Sequence, residues 1–228
     1  MMLLEVRKLQ AGYGGSQALF GVDLAVDEGE VVALMGRNGM GKTTTIRAIC
    51  NLTPPSAGEV TFAGRRLKGL APHRVAKLGI GLAPEGRRCF AALTVEENLI
   101  ATARPGKWDF GSVTALFPRL AERRNQMANT LSGGEQQMLA IGRALMTNPR
   151  LLIMDEATEG LAPVIRQDIW AAIRKLKAEG EAILIVDKTL PELLPVADRC
   201  TVLENGMTAW TGTPGELTGE MQVRYLGV

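Results

Sequence analysis

V-V-A-L-M-G-R-N-G-M-G-K-T-T (residues 31–44) is the stretch whose reading decides the fold. Its first five residues are an unbroken apolar run, suited to a strand buried on both faces. Gly36, Arg37, Asn38, Gly39, Met40, Gly41, Lys42 and Thr43 then fit G-x-x-x-x-G-K-[ST]. The glycines let the chain curl so that main-chain N–H groups point at phosphate oxygens. In such a loop Lys42 reaches the β- and γ-phosphates and the Thr43 hydroxyl coordinates Mg²⁺. Thr44 closes the candidate nucleotide-binding set, and a helix through Ile46 and Ile49 is expected behind it. A buried strand in front and a helix behind are the context the motif requires; a chance glycine-rich turn lacks it.

Farther along, L-L-I-M-D-E (151–156) offers what a phosphate loop needs. Asp155 ends a short apolar strand, where a carboxylate can hold Mg²⁺ through water. Glu156, at the strand mouth, can polarise an attacking water. An acidic pair in this place can also simply cap the next helix. The N-K-x-D motif with which GTPases of this broad class read guanine does not occur. Tyr13, in A-G-Y-G, can stack on adenine through its flat ring; a Tyr in a glycine-rich loop also serves packing alone.

A third stretch, T-L-S-G-G-E-Q-Q (130–137), opens like a helix. Ser132 and Glu135 have the spacing of a capping box, and Met138, Leu139, Ile141, Leu145 and Met146 recur on one face. Gly133 and Gly134 at a helix start are costly unless something must approach the backbone. A helix N-terminus attracts anions, yet the stretch contains no lysine or arginine. The anion it would meet must be held from elsewhere.

The 228 residues are 46% hydrophobic and 22% charged, with a formal net charge of +2. That length buries a full core, and the charge gives no argument for nucleic acid, which is not expected as a partner. Cys50, Cys89 and Cys200 show neither metal nor disulfide spacing, as expected of structural thiols in a reducing compartment. No secretory leader is expected, and the apolar runs fall far short of the ~20 residues of a bilayer helix. L-L-E-V-R-K-L, V-D-L-A-V and residues 59–62 read as strands, as does A-I-L-I-V-D (182–187). Ile165, Ile169, Ile173 and Leu176 mark an amphipathic helix, residues 96–103 and 113–124 read as helical, and a hairpin turns at Asn205-Gly206. The alternation predicts an α/β fold with a mainly parallel sheet, and the early run of strands an added antiparallel β layer. With the phosphate-loop motif of residues 36–43 this is expected to be a P-loop NTPase core carrying a helical subdomain. One domain spans 1–228, with the core at 1–85 and 131–228 and the helical subdomain at 86–130.

The three stretches in this order resemble the ATP-binding-cassette (ABC) ATPases, over almost the whole chain. The resemblance implies ATP and Mg²⁺ as cofactors, ATP hydrolysis, and a second ABC ATPase subunit, a copy or a paralogue. Ser132, Gly133 and Gly134 would then meet the γ-phosphate of an ATP held by the partner's loop, so the missing lysine is the partner's. P-E-G-R (84–87), G-L-A-P (160–163), L-F-P-R-L (116–120) and the terminal Y-L-G-V are similar to the ATPase subunits of branched-chain amino-acid importers and of urea or short-chain amide importers. That implies membrane permeases contacted by 86–130 and the Glu85 loop, and indirectly a periplasmic or extracellular binding protein. It also implies a cytoplasmic place, peripheral on the inner face of the cell membrane.

Some positions depart from the family's pattern. Glu85 stands where most members have glutamine, as a candidate Mg²⁺ ligand that would also repel phosphate, and Ala162 where many have Asp. The one histidine, His73, reads as a surface residue. Lys188 stands where many members place a histidine against the γ-phosphate; it can donate there, as a long flexible point charge, or point to solvent. Two rival readings remain. A non-transport ABC protein acting on DNA or ribosomes is expected to carry two cassettes or a coiled-coil insertion, and this chain has neither. A nucleotide-binding scaffold without turnover is opposed by Glu156.

Overall fold

The computed structural model describes residues 1–227; Val228, the last residue of Y-L-G-V, lies outside the described residues. The chain opens with β1 (Met2–Tyr13), β2 (Ser16–Asp27) and β3 (Val31–Met35), then helix α1 (Lys42–Ile49), β4 (Ala57–Phe62) and β5 (Arg65–Arg66). Next come α2 (Pro72–Lys77), β6 (Ile80–Ala83), α3 (Val95–Ile100), α4 (Phe110–Leu116), α5 (Pro118–Glu122) and α6 (Gly133–Leu145). The last part holds β7 (Leu151–Asp155), α7 (Pro163–Ala178), β8 (Ala182–Val186), α8 (Leu190–Leu193), β9 (Arg199–Glu204), β10 (Met207–Gly212) and the short α9 (Gly219–Met221).

The strands run in the order β5-β4-β1-β2-β10-β9-β3-β8-β7-β6. β9, β3, β8, β7 and β6 are parallel neighbours, whereas β5, β4, β1 and β2 form an antiparallel arm. β10 joins the two: it pairs antiparallel with β9, and with β2 it shares the parallel pair Met207–Gly21 and the Thr208 hydroxyl bonded to the Asp23 main chain. This is the α/β core with an added antiparallel layer that the sequence pattern predicts.

The three unbroken apolar strands explain why both faces are covered. On β3, Val31, Ala33 and Met35 enter one core while Val32 and Leu34 enter another. β7 and β8 divide in the same way, Leu152, Met154, Ile183 and Ile185 on one side, Leu151, Ile153 and Leu184 on the other. A side-chain period of two forces this division in any strand. The first core is closed by α6, α7 and the helices between 95 and 122; the second holds α1 against the antiparallel arm. Segment 86–130 therefore contributes Val95, Leu99, Val113 and Leu120 to a core it shares with the sheet, and no separate core cluster belongs to it among the described residues.

Three elements differ from the sequence reading. The helix expected over 113–124 is two helices, because Pro118 cannot donate to the preceding turn and Phe117 leaves the helical region. β6 is a buried strand that its four residues and Gly81 conceal. A Cβ on Gly81 would stand 3.0 Å from the Ala144 carbonyl oxygen and from Pro149, so glycine lets α6 lie close to the sheet. The helix expected over 96–103 ends at Ile100. The hairpin turns where predicted, with Asn205 and Gly206 both at positive φ (49° and 73°).

The thiols follow burial. Cys50 and Cys200 are buried, which pushes their thiols up to about 12 and about 11. Cys89 is half-buried and donates to the Gln136 carbonyl at 3.3 Å. A thiol reagent at neutral pH is expected to label Cys89 alone in the native chain, with Cys50 and Cys200 reacting only after denaturation. Rapid labelling of Cys50 in the native protein would contradict this packing.

Candidate nucleotide site

The loop between β3 and α1 is shaped by its glycines. Gly36 has φ 138°, and a Cβ there would stand 2.5 Å from the Leu203 carbonyl oxygen of β9, so only glycine lets the loop leave the sheet at this point. Lys42 folds back over the loop, its Nζ donating to the carbonyls of Gly36 (2.7 Å) and Arg37 (2.9 Å). Burial, then the nearby Lys188, lower its pKa. Arg37 points the other way and donates to the carbonyls of Val223 and Arg224, both at 3.0 Å, tying the end of the chain to the loop. Met40 accepts from the Asn205 N–H at 3.1 Å.

An open cavity of about 470 Å³ brings the sequence candidates together. Asn38, Gly39, Gly41, Lys42, Thr43 and Thr44 line one side; Glu156, Glu159 and Lys188 line the other. Tyr13 is beside this cavity and not among its lining residues. Its hydroxyl reaches the Thr44 hydroxyl at 3.4 Å, its ring lies under Arg47, and it remains half exposed.

The acidic residues occupy two environments. Asp155 is buried at the end of β7, and burial raises its carboxyl to about 6; the Thr43 hydroxyl pulls it down and the Glu85 carboxylate pushes it up. Its Oδ1 is buried without a partner. Glu156 takes a left-handed backbone (φ 54°), which a glutamate adopts only under constraint. A hydrogen bond shared with Glu159, then partial burial, push it up to about 7. Glu159 moves down, through that shared bond and its ion pair with Lys188.

Among the described residues no group of three or more His, Cys, Asp or Glu makes a metal cluster. Thr43, Asp155 and Glu85 instead offer a hydroxyl and carboxylates. That is a hard-oxygen set leaving positions for water and phosphate, which suits Mg²⁺. The orphaned Oδ1 of Asp155 is the atom such a cation would satisfy.

The constraint on Glu156 has a source the sequence reading missed. Asp187, buried at the end of β8, accepts from the Thr158 N–H (2.8 Å) and hydroxyl (2.7 Å) with one oxygen. Its other oxygen accepts from the Thr189 N–H (2.8 Å) and hydroxyl (2.7 Å). It thus staples the turn after β7 to the turn after β8. The available signal was that I-L-I-V-D ends as L-L-I-M-D does, a carboxylate closing a buried strand. Lys188 lies just beyond this staple, exposed, with Glu159 as its partner.

Ser132, Gly133 and Gly134 do not line the cavity around Lys42. Ser132 caps α6 as predicted: its Oγ accepts from the Glu135 N–H at 3.3 Å, and Glu135 accepts from the Ser132 N–H at 2.8 Å. Burial works against the Glu135 carboxylate, but Ser132 and Arg123 together hold its pKa low. A Cβ on Gly133 would overlap the guanidinium of Arg87, and one on Gly134 would overlap Ile165 of α7. At Gly134 the branched Ile165 side chain lies close and makes glycine the fitting residue, whereas at Gly133 the neighbour is the mobile end of Arg87. Arg87 also reaches the Gly160 carbonyl at 3.2 Å, a contact that nothing in the local sequence announces.

The sequence profile of the ABC transporter family matches residues 19–159, more than half the chain and all three stretches. The chain belongs to the ABC transporter family. This ABC ATPase is 43% identical to the "high-affinity branched-chain amino acid transport ATP-binding protein BraG" of Pseudomonas aeruginosa, over 99% of this chain and 100% of that one. It is 36% identical to the "probable branched-chain amino acid transport ATP-binding protein LivF" of Archaeoglobus fulgidus, over 94% of each. Among solved structures it resembles the dimeric, post-hydrolysis ATP-binding cassette MJ0796 bound to ADP and Pi. The TM-score is 0.81 at 25% identity, over 93% of this chain and 99% of that one.

Proposed function

We propose that this ABC ATPase is the ATP-hydrolysing subunit of a branched-chain amino-acid importer. The observation that carries the solute is the end-to-end similarity to BraG at 43% identity, supported by LivF. Those two names favour branched-chain amino acids over urea or short amides.

In this reading residues 36–44 cradle ATP, Lys42 exchanges its carbonyl partners for the β- and γ-phosphates, and Tyr13 flanks the adenine. Thr43, Asp155 and Glu85 hold Mg²⁺, which when bound supplies positive charge to the phosphate oxygens. Glu156 accepts the proton of the attacking water, and the Asp187 staple fixes its position. Ser132, Gly133 and Gly134 complete the site of a second subunit, a copy or a paralogue, so two ATP molecules lie between two chains. ATP closes this pair and hydrolysis releases it.

The permease is seated in a groove of about 490 Å³ between α2, β6 and α6, lined by Leu52, Val75, Leu82, Arg88, Phe90 and Arg143. Phe90 stays half exposed there, under the Arg143 guanidinium. Among the described residues no helix is long and apolar enough to cross a membrane; the subunit is held peripherally on the cytoplasmic side through this groove. A solute-binding protein acts on the far side.

Co-expression with a permease pair tests the assignment. The subunit is expected in the membrane fraction only when the permeases are present, and the vesicles are expected to take up leucine with ATP. Uptake of urea and not leucine would move the solute to the alternative; membrane-independent behaviour would end the transport reading. Lys188→Ala is expected to lower kcat by about two- to fivefold, the scale of an exposed ion pair. An unchanged rate would leave Lys188 an ordinary surface charge.

A further inference from the structure

The fold brings to L-S-G-G-E-Q-Q the cation that the stretch lacks. Arg87, four residues beyond β6, has a left-handed backbone (φ 50°) that aims its half-buried side chain across the start of α6. Its guanidinium fills the space that a side chain on Gly133 would need. Among the described residues only main-chain carbonyls hold it, Gly160 at 3.2 Å and Glu159 at 3.5 Å. Arg123 and Arg124 nearby each pair with a carboxylate, Glu135 and Glu96; among the described residues Arg87 pairs with none. The Glu159 carboxylate is already taken by Lys188.

This is an unusual place for a positive charge. The N-terminus of a helix is itself positive, so a guanidinium beside it is repelled unless an anion joins them. A second donor waits in the same cavity, of about 460 Å³. The side chain of Gln137 is almost wholly buried (3% exposed), lines that cavity with Arg87, and its Nε2 has no acceptor among the described residues. Glu156 and Glu159 also line it. Glu159 is paired with Lys188 and shares a hydrogen bond with Glu156, so an anion would be held away from them, toward Arg87 and the N–H groups of Gly133 and Gly134.

We infer that Arg87 is a phosphate-binding residue acting in trans: with the Gly133 and Gly134 N–H groups it meets the γ-phosphate of the ATP held by the facing subunit. This depends on the two-chain sandwich proposed above. ADP lacks the phosphate that Arg87 reads, so the residue contributes to the preference of the closed pair for ATP.

The test uses the full chain carrying Glu156→Gln, mixed with its cognate subunit where that is a paralogue, with association followed by sedimentation against MgATP and MgADP. Arg87→Gln, which keeps the length and removes the charge, is expected to raise the ATP concentration for half-association by about 10- to 100-fold, the scale of a hydrogen bond to a charged group. Arg87→Lys is expected to recover most of that loss. Association of Arg87→Gln at the parent's ATP concentration, or below it, overturns the assignment and leaves Arg87 a filler of the Gly133 space. If the Arg87-bearing parent itself fails to associate, the sandwich reading falls and this inference with it.

Discussion

Glu156→Gln is expected to reduce ATP hydrolysis by roughly 10²- to 10⁴-fold, the contribution of a positioned general base, while ATP remains bound. The side chain sits at the mouth of β7 on a backbone with positive φ, in a turn that Asp187 pins two residues on at Thr158. The amide is nearly the same shape, so the staple and the cavity persist, but it cannot take a proton from water. Single-turnover hydrolysis of radiolabelled ATP separates binding from chemistry. A variant that keeps more than about a tenth of the parent rate would remove Glu156 from the role of base and revive the reading of a nucleotide-binding scaffold.

The second large effect is on binding. Lys42→Ala is expected to weaken ATP affinity by about 10- to 100-fold, the scale of losing a hydrogen bond to a charged group. Lys42 now satisfies the carbonyls of Gly36 and Arg37. Removing it takes away both the cation proposed for the phosphates and the donor to these two carbonyls. Calorimetric titration with MgATP checks the affinity, and its failure to drop would place the triphosphate elsewhere than in the curl of residues 36–44. The two variants are expected to diverge: Glu156→Gln binds without turning over, and Lys42→Ala hardly binds.

The sheet was legible because β3, β7 and β8 are apolar on both faces, a pattern that only a strand between two layers sustains. β6 was not, because four residues with a central glycine carry no periodic signal; its strand character comes from pairing along β7 at the sheet edge with α6 packed against it. The break at Pro118 was readable in principle and lost to the apolar pattern running through it. In the site, Lys42, Thr43, Asp155 and Glu156 were named from spacing and do converge. Tyr13 lies beside the cavity, not in its wall. Asp187 and Arg87 escaped because their meaning is long-range: one joins the ends of two strands, the other crosses from the loop after β6 to the start of α6 and the turn at Gly160. No local window contains either pair.

The side chain of Ile165 packs directly on Gly134, so the first turn of α6 lies close against helix α7. α7 begins just after the Glu156–Gly160 turn, so the patch proposed to meet a neighbour's triphosphate and the proposed hydrolytic residues of the same chain would be ends of one packed strut. In a two-chain assembly, each strut would have one foot in either reaction chamber. Spent fuel in one chamber would then be felt in the other without any messenger beyond the strut itself.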